Sequence, residues 1–156
     1  MGKHVNAGRV STKRSSRLLA DGNENYFTMR PPTYEEFPVD YVVNVKSVAG
    51  HPVRGDGITD DTVNINAILS MYAGCKIIYF PAGTYMTTGT IFVPAGSRIV
   101  GDAYASAISA TGSNFKNEDV PVTMVRMGKP GDVGVAQFSD MLFTVGEVLK
   151  GCKMVR

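Results

Sequence analysis

Gly55-Asp56-Gly57-Ile58-Thr59-Asp60-Asp61-Thr62, followed by Lys76-Ile77-Ile78-Tyr79-Phe80-Pro81-Ala82-Gly83-Thr84-Tyr85, decides how this chain folds. The first stretch reads as a tight glycine turn leading into a helix with an acidic start. The second reads as a β-run halted by a Pro-Ala-Gly corner. A matching corner, Phe92-Val93-Pro94-Ala95-Gly96, follows after one further short β-run. Repeated strand-corner-strand units predict a chain that stacks short strands turn upon turn.

Outward from that stretch, Thr59 is the natural N-cap, with Asp60 and Asp61 complementing the positive end of the helix dipole. Ile65, Ile68, Leu69 and Tyr72 fall on one stripe, and Gly74 ends the helix. Such a stripe suits a helix that covers the open end of a β-stack, where apolar surface would otherwise meet water. A first strand is predicted at 41–45. Further β-runs are predicted at 76–80, 84–87, 90–93, 98–100, 107–110, 123–127 and 135–143, separated by Gly, Pro, Ser and Asp corners. No second long helical pattern follows, which argues against alternating βαβ units. A β-sandwich uses similar short strands, but the twin Pro-Ala-Gly corners and the lack of Asn-Gly hairpin turns favour a solenoid.

The 156 residues suffice for one ordinary domain, and the high glycine and low charged fractions suit a turn-rich β protein. A net charge of +2 is too small to imply a nucleic-acid or membrane partner. Lys3, Arg9, Lys13, Arg14 and Arg17 cluster without interleaved aromatics, so a solvated linker is preferred to a base-stacking patch. Residues 1–38 read as a basic, extended, linker-like segment, in which Arg30-Pro31-Pro32 enforces extended backbone. Tyr34 and Phe37 could clamp that segment onto a neighbouring surface. No secretory signal or membrane-length apolar run is visible, which leaves localisation unknown. Cys75 and Cys152 lack metal-ligand spacing; Cys75 is expected as a small buried hydrophobe, and a disulfide between the two is unsupported.

The motifs carry little chemistry of their own. Gly55-x-Gly57-x-x-Asp60 lacks the third glycine of a dinucleotide fingerprint, and its aspartates would repel a pyrophosphate. The same cluster fails the calcium-loop pattern, so no cofactor or metal is expected. Capping and turn hydrogen bonds account for these aspartates. Glycoside hydrolysis needs two carboxylates facing each other about 5–10 Å apart. Asp102, Glu118, Asp119, Asp132, Asp140 and Glu147 follow the helix. Of these, Asp102 follows Gly101 at a corner and Asp140 interrupts an apolar run; either could face a cleft, although a turn or cap role is preferred for both. His4 and His51 lack a nucleophile motif that would complete a triad. Tyr79, Tyr85 and Tyr104 could stack on sugars, with core packing preferred for Tyr79 and Tyr85.

The 55–62 and 78–85 motifs resemble the opening signature of the pectate-lyase-like β-helix superfamily. Arg30-Pro31-Pro32-Thr33-Tyr34-Glu35, Thr90-Ile91-Phe92-Val93-Pro94-Ala95-Gly96 and Arg98-Ile99-Val100-Gly101 narrow the match. It continues through Val125-Arg126-Met127-Gly128, Pro130-Gly131-Asp132-Val133-Gly134 and Ser139-Asp140-Met141-Leu142-Phe143-Thr144. Together they resemble the start of the second β-helix domain of glycoside hydrolase family 55 exo-β-1,3-glucanases, over roughly residues 8–144.

The resemblance implies an all-β fold: a right-handed, single-stranded parallel β-helix truncated to its first coils, with an N-terminal capping helix. Its coils would occupy 39–144, and 145–156 would be a divergent tail that reads as a chain end rather than a strand. In the family, two tandem β-helices flank a pocket for the end of a β-1,3-glucan, and an inverting mechanism uses a glutamic acid from later coils. No residue here matches that glutamate, so the catalytic residues are unknown and the fragment is expected to be inactive alone. The expected partners are β-1,3-glucan or a related polysaccharide, the missing coils and the first β-helix domain, with self-association through the open coil. The family is typically secreted. The competing expectation is a carbohydrate-binding or structural β-helix module of tail-spike or adhesin type. A uronate lyase ranks last, since no set of calcium-binding carboxylates with catalytic basic residues is visible.

Overall fold

A computed structural model describes residues 30–156, together with Ser16, Leu19, Tyr26 and Thr28. His4 and the basic cluster from Lys3 to Arg17 lie outside the described residues. The chain divides into two compact units, 1–32 and 33–156. In the first, Leu19 and Tyr26 form an isolated antiparallel bridge.

The second unit contains β1 (Val42–Asn44), β2 (Asp56–Asp60), α1 (Thr62–Tyr72), β3 (Ile77–Phe80), β4 (Gly83–Thr87) and β5 (Ile91–Val93). These are followed by β6 (Arg98–Gly101), β7 (Ser106–Ala110), β8 (Val122–Met127), β9 (Gln137–Ser139), β10 (Leu142–Val145) and β11 (Cys152–Val155). The strands sort into three sheets in the orders β1-β3-β6-β9, β2-β4-β7-β10 and β5-β8-β11. Every pairing is parallel. Each turn of chain therefore adds one strand to each sheet in succession, which is a parallel β-helix.

Register places like on like along the interior. Ile78 pairs with Ile99 and Ile99 with Phe138; Tyr85 pairs with Ile108 and Ile108 with Phe143. Phe80 meets Tyr85 edge-on at 5.1 Å, and Phe138 meets Phe143 in the same manner at 5.5 Å. The same corner contact thus recurs higher in the stack. Tyr85 is fully buried and donates its hydroxyl proton to the Pro81 carbonyl at 2.5 Å. Burial pushes its pKa up, and the nearby Asp61 carboxylate pushes it further.

The helix takes the place of a third-sheet strand in the first turn. Ile65, Ile68 and Leu69 enter the core, as the stripe requires, and Gly74 follows in a left-handed conformation. Asn66 finishes the job at the exposed edge of β5. Its side-chain Nδ2 donates to the Thr90 carbonyl at 2.9 Å, and its Oδ1 accepts from the Phe92 N–H at 2.7 Å. Those are the two bonds that the backbone of a residue opposite Ile91 would make in a parallel ladder.

The acidic stretch is built differently from its sequence expectation. The helix begins at Thr62 with Asp61 as N-cap, and neither Thr59 nor an acidic first turn takes part. Residues 56–60 form β2, a strand that the glycines and aspartates concealed. Asp61, fully buried, accepts from the N–H groups of Arg54 and Gly55, each at 2.8 Å. Asp56 accepts from Ile58 N–H, Thr59 N–H and the Thr59 hydroxyl. Asp60 accepts from Thr62 and from the Thr88 hydroxyl one turn on. Gly55 is obligatory, because a Cβ there would lie 2.7 Å from the Tyr85 ring and φ is +58°.

Three further expectations are corrected. The run at 135–143 is two strands, β9 and β10, broken where Asp140 adopts φ 57°. Residues 152–155 are strand β11 paired with β8, although the tail had read as no strand; Lys153 takes its place in the ladder opposite Thr123. Cys75 is exposed in the turn after α1 instead of buried, and both cysteines are free.

Residues 34–41 form a strap over the first sheet. Lys76 lies over the Tyr41 ring at 5.0 Å, Arg98 over the Phe37 ring at 5.1 Å, and Tyr34 donates to Gln137 Oε1 at 3.1 Å. These anchors belong to successive turns, and the clamp expected of Tyr34 and Phe37 is present.

Asn66→Ala leaves the Thr90 carbonyl and the Phe92 N–H unpaired beneath the helix and should cost about 1–3 kcal/mol, read as a lowered urea midpoint; an unchanged midpoint would show that water replaces the amide. Acid should also destabilise the fold. Hydrogen bonds from Thr59 and Ile58 hold Asp56 down at about 2; for Asp60, burial raises the pKa but bonds from Thr62 and Thr88 outweigh it and the net shift is downward. Depressed carboxyls stabilise above their unfolded pKa and lose that contribution as pH falls through the folded value. Urea midpoints should therefore drop between about pH 5 and about pH 2, and drop less in Asp60→Asn.

Candidate functional site

The sheets leave few places where a ligand could sit. The first is covered outside by the strap. Several carboxylates are committed to the backbone, as the turn reading expected. Besides the three aspartates before α1, Asp132 accepts from Lys129 N–H at 2.8 Å. Glu147 pairs with Lys116 at 2.8 Å and accepts from Thr111 and Gly112. Its pKa is lowered, chiefly by Lys116, so every displaced carboxyl among the described residues moves downward. That is the wrong direction for a general acid at neutral pH. Glu118 and Asp119 lie exposed in the loop before β8.

Asp102, Tyr104 and Asp140 are brought to one place. The chain leaves β6 at Gly101, passes Asp102, and makes a short 3-10 turn at Ala103–Ala105 before entering β7. Buried Ser106 fixes this corner: its hydroxyl accepts from Asp102 N–H and donates to the Phe80 carbonyl of the preceding turn, both at 2.7 Å. Directly upon it lies the β9–β10 corner. The carbonyl of Asp140 occupies the position a Gly101 Cβ would need, 2.2 Å away. Ala103 and Asp140 both hold left-handed backbone, at φ 49° and 57°. For residues with a Cβ, such backbone costs about 1–3 kcal/mol each and gathers at functional corners.

The stacked corners enclose a pocket of about 240 Å³ lined by Ala103, Tyr104, Asp140, Met141 and Leu142. Tyr104 stands at its rim, 93% exposed. An unburied phenol ring in one pocket with the exposed Asp140 suits a sugar, which presents C–H groups to the ring and a hydroxyl donor to the carboxylate.

Of the other aromatics, Tyr85 is in the core as expected. Tyr79 is not: it alternates with inward Ile78 and Phe80, and remains half-buried on the outer side of β3. His51 lies in an open concavity between β1 and the end of α1. No cluster of three metal-ligating side chains exists among the described residues. No described helix is long and apolar enough to cross a membrane.

The sequence reading missed a groove of about 540 Å³ between α1 and the outer face of the third sheet. Phe92 and Arg126 meet there, adjacent in the β5–β8 ladder although distant in sequence. Strand alternation placed each outward, but only the register brings them together.

Comparison with known proteins agrees with this architecture. Residues 42–142 match the family described as rhamnogalacturonase A/epimerase, pectate lyase-like. A glucan endo-1,3-beta-glucosidase, BGN13.1, of Trichoderma harzianum is 40% identical over 100% of this chain and 21% of its own length. A non-secreted LysM effector, LysM19, of Penicillium expansum is 39% identical over 84% of this chain and 10% of its own. A glucan 1,3-beta-glucosidase of Cochliobolus carbonum is 36% identical over 83% and 16% respectively. The chain thus spans about a fifth or less of the length of these relatives. A parallel β-helix, a helix capping its first turn and a family match that spans β1 to β9 lead to one conclusion: this chain belongs to the rhamnogalacturonase A/epimerase, pectate-lyase-like family.

Proposed function

We propose that this β-helix serves a hydrolase of β-1,3-glucan, supplying substrate contacts while the catalytic acid comes from elsewhere. The observation that carries the reading is 40% identity along the whole chain to a protein named glucan endo-1,3-beta-glucosidase. The stacked corner with Tyr104, Asp102 and Asp140 supports a role in holding sugar. Inverting exo-hydrolysis is the mode implied by the family 55 resemblance. The remaining β-helix coils and the first β-helix domain are the partners this reading requires.

The 156-residue chain is inactive by itself on this account, because no residue in it matches the catalytic glutamate that the family 55 resemblance implies. A binding-only module is the competing reading. The Penicillium relative favours it, since that protein is named as an effector and not as a hydrolase. An adhesin of tail-spike type would be trimeric by light scattering and indifferent to glucan.

The chain should co-sediment with insoluble β-1,3-glucan and release no reducing ends from it. Tyr104→Ala should weaken binding about tenfold, the loss of one aromatic contact, without lowering the thermal midpoint. Catalytic release of glucose would overturn the division of labour. Failure to sediment with the glucan would overturn the substrate.

A further inference from the structure

The groove on the third sheet carries a second and different chemistry. Ile91 and Val125 point inward and are paired, so Phe92 and Arg126, paired one residue on, point outward. Val155 pairs with Val125, and Arg156 continues that register: its N–H donates to the Val125 carbonyl at 2.9 Å, and its carbonyl accepts from Met127 N–H at 2.8 Å. Phe92, Arg126 and Arg156 therefore form one outward row across three successive turns, spaced by about 4.8 Å. Lys129 places its ammonium 5.5 Å from the Phe92 ring centre.

Two like charged side chains on neighbouring strands repel, and no acidic side chain in the lining offsets them. No acidic residue lines the groove, and the ion pair formed among the described residues is Lys116–Glu147. Asp132, the carboxylate nearest Lys129 in sequence, is turned to the Lys129 N–H. Of the wall's neutral polar side chains, the Asn66 amide and the Thr90 hydroxyl are already occupied. Both ends of the Asn66 amide hold β5, and the Thr90 hydroxyl donates to the Thr123 carbonyl at 2.7 Å. What the groove offers a ligand is thus guanidinium donors beside the apolar surface of Phe92 and Pro121.

We propose that this groove binds a phosphate group carried on a sugar. A phosphate brings nearly two negative charges and three acceptor oxygens to two guanidiniums at adjacent strand positions, where a carboxylate brings one charge and two oxygens. The apolar shoulder of Phe92 and Pro121 takes the C–H face of the sugar ring. This site lies on a different sheet from the Tyr104 corner and is independent of the glucan reading.

Isothermal titration of the full chain with glucose 6-phosphate, inorganic phosphate, glucuronate and glucose tests it. Glucose 6-phosphate should bind at least about fivefold tighter than inorganic phosphate or glucuronate, and more weakly as salt rises. Arg126→Gln and Arg156→Gln should each weaken it about tenfold. Both positions are exposed, so circular dichroism should show the fold intact, and either variant alone decides the matter if the other misfolds. β-1,3-glucan sedimentation should be unaltered in Arg126→Gln, which separates this site from the corner. Absence of binding, equal binding of phosphate alone, equal binding of glucuronate, or undiminished binding in a folded arginine variant would each overturn the proposal.

Discussion

A strand at the end of a parallel stack has amide groups on one side with nothing to bond, and the cost of burying them unpaired limits how such a stack can begin. Here the third sheet begins against a helix, which has no free backbone groups along its length. The conflict is resolved by one side chain. Asn66 carries a carbonyl and an amine in the arrangement of a peptide group, and it presents both to β5. The apolar residues around it, Ile65, Ile68 and Leu69, close the end of the interior at the same time. The first turn can therefore be dry inside and hydrogen-bonded at its edge, and later turns build upon it.

The solenoid was legible because its corners and apolar runs are local signals. Pro-Ala-Gly at 81–83 and 94–96, the stripe from Ile65 to Tyr72, and the β-branched runs each act within a few residues. Where reading failed, the cause was usually a contact from another turn. Residues 56–60 have poor strand propensity, yet they pair with β4. Residues 152–155 gain their extended form from β8. Asp140 looked like an interruption within one strand and is the pivot between two.

Candidate sites show the same division. Tyr104 and Asp102 are close in sequence, and their corner was visible. That Asp140 would join them depends on how many residues each turn spends between its strands, which no local pattern encodes. The Phe92–Arg126–Arg156 row is still less visible, since it exists only through register. In a stacked coil the unit of recognition runs perpendicular to the chain, so a linear motif captures at most one member.

The strap contributes in another way. Tyr41, Phe37 and Tyr34 grip progressively later turns as the chain is traced backward from β1. A pull on the amino-terminal side would load the Tyr34 anchor first, then Phe37, then Tyr41. The contacts would yield in sequence, like a peeled adhesive tape, and not together as a sheared joint. Mechanical tension arriving from that direction would thus be spent on the strap at low force before it reached the coils.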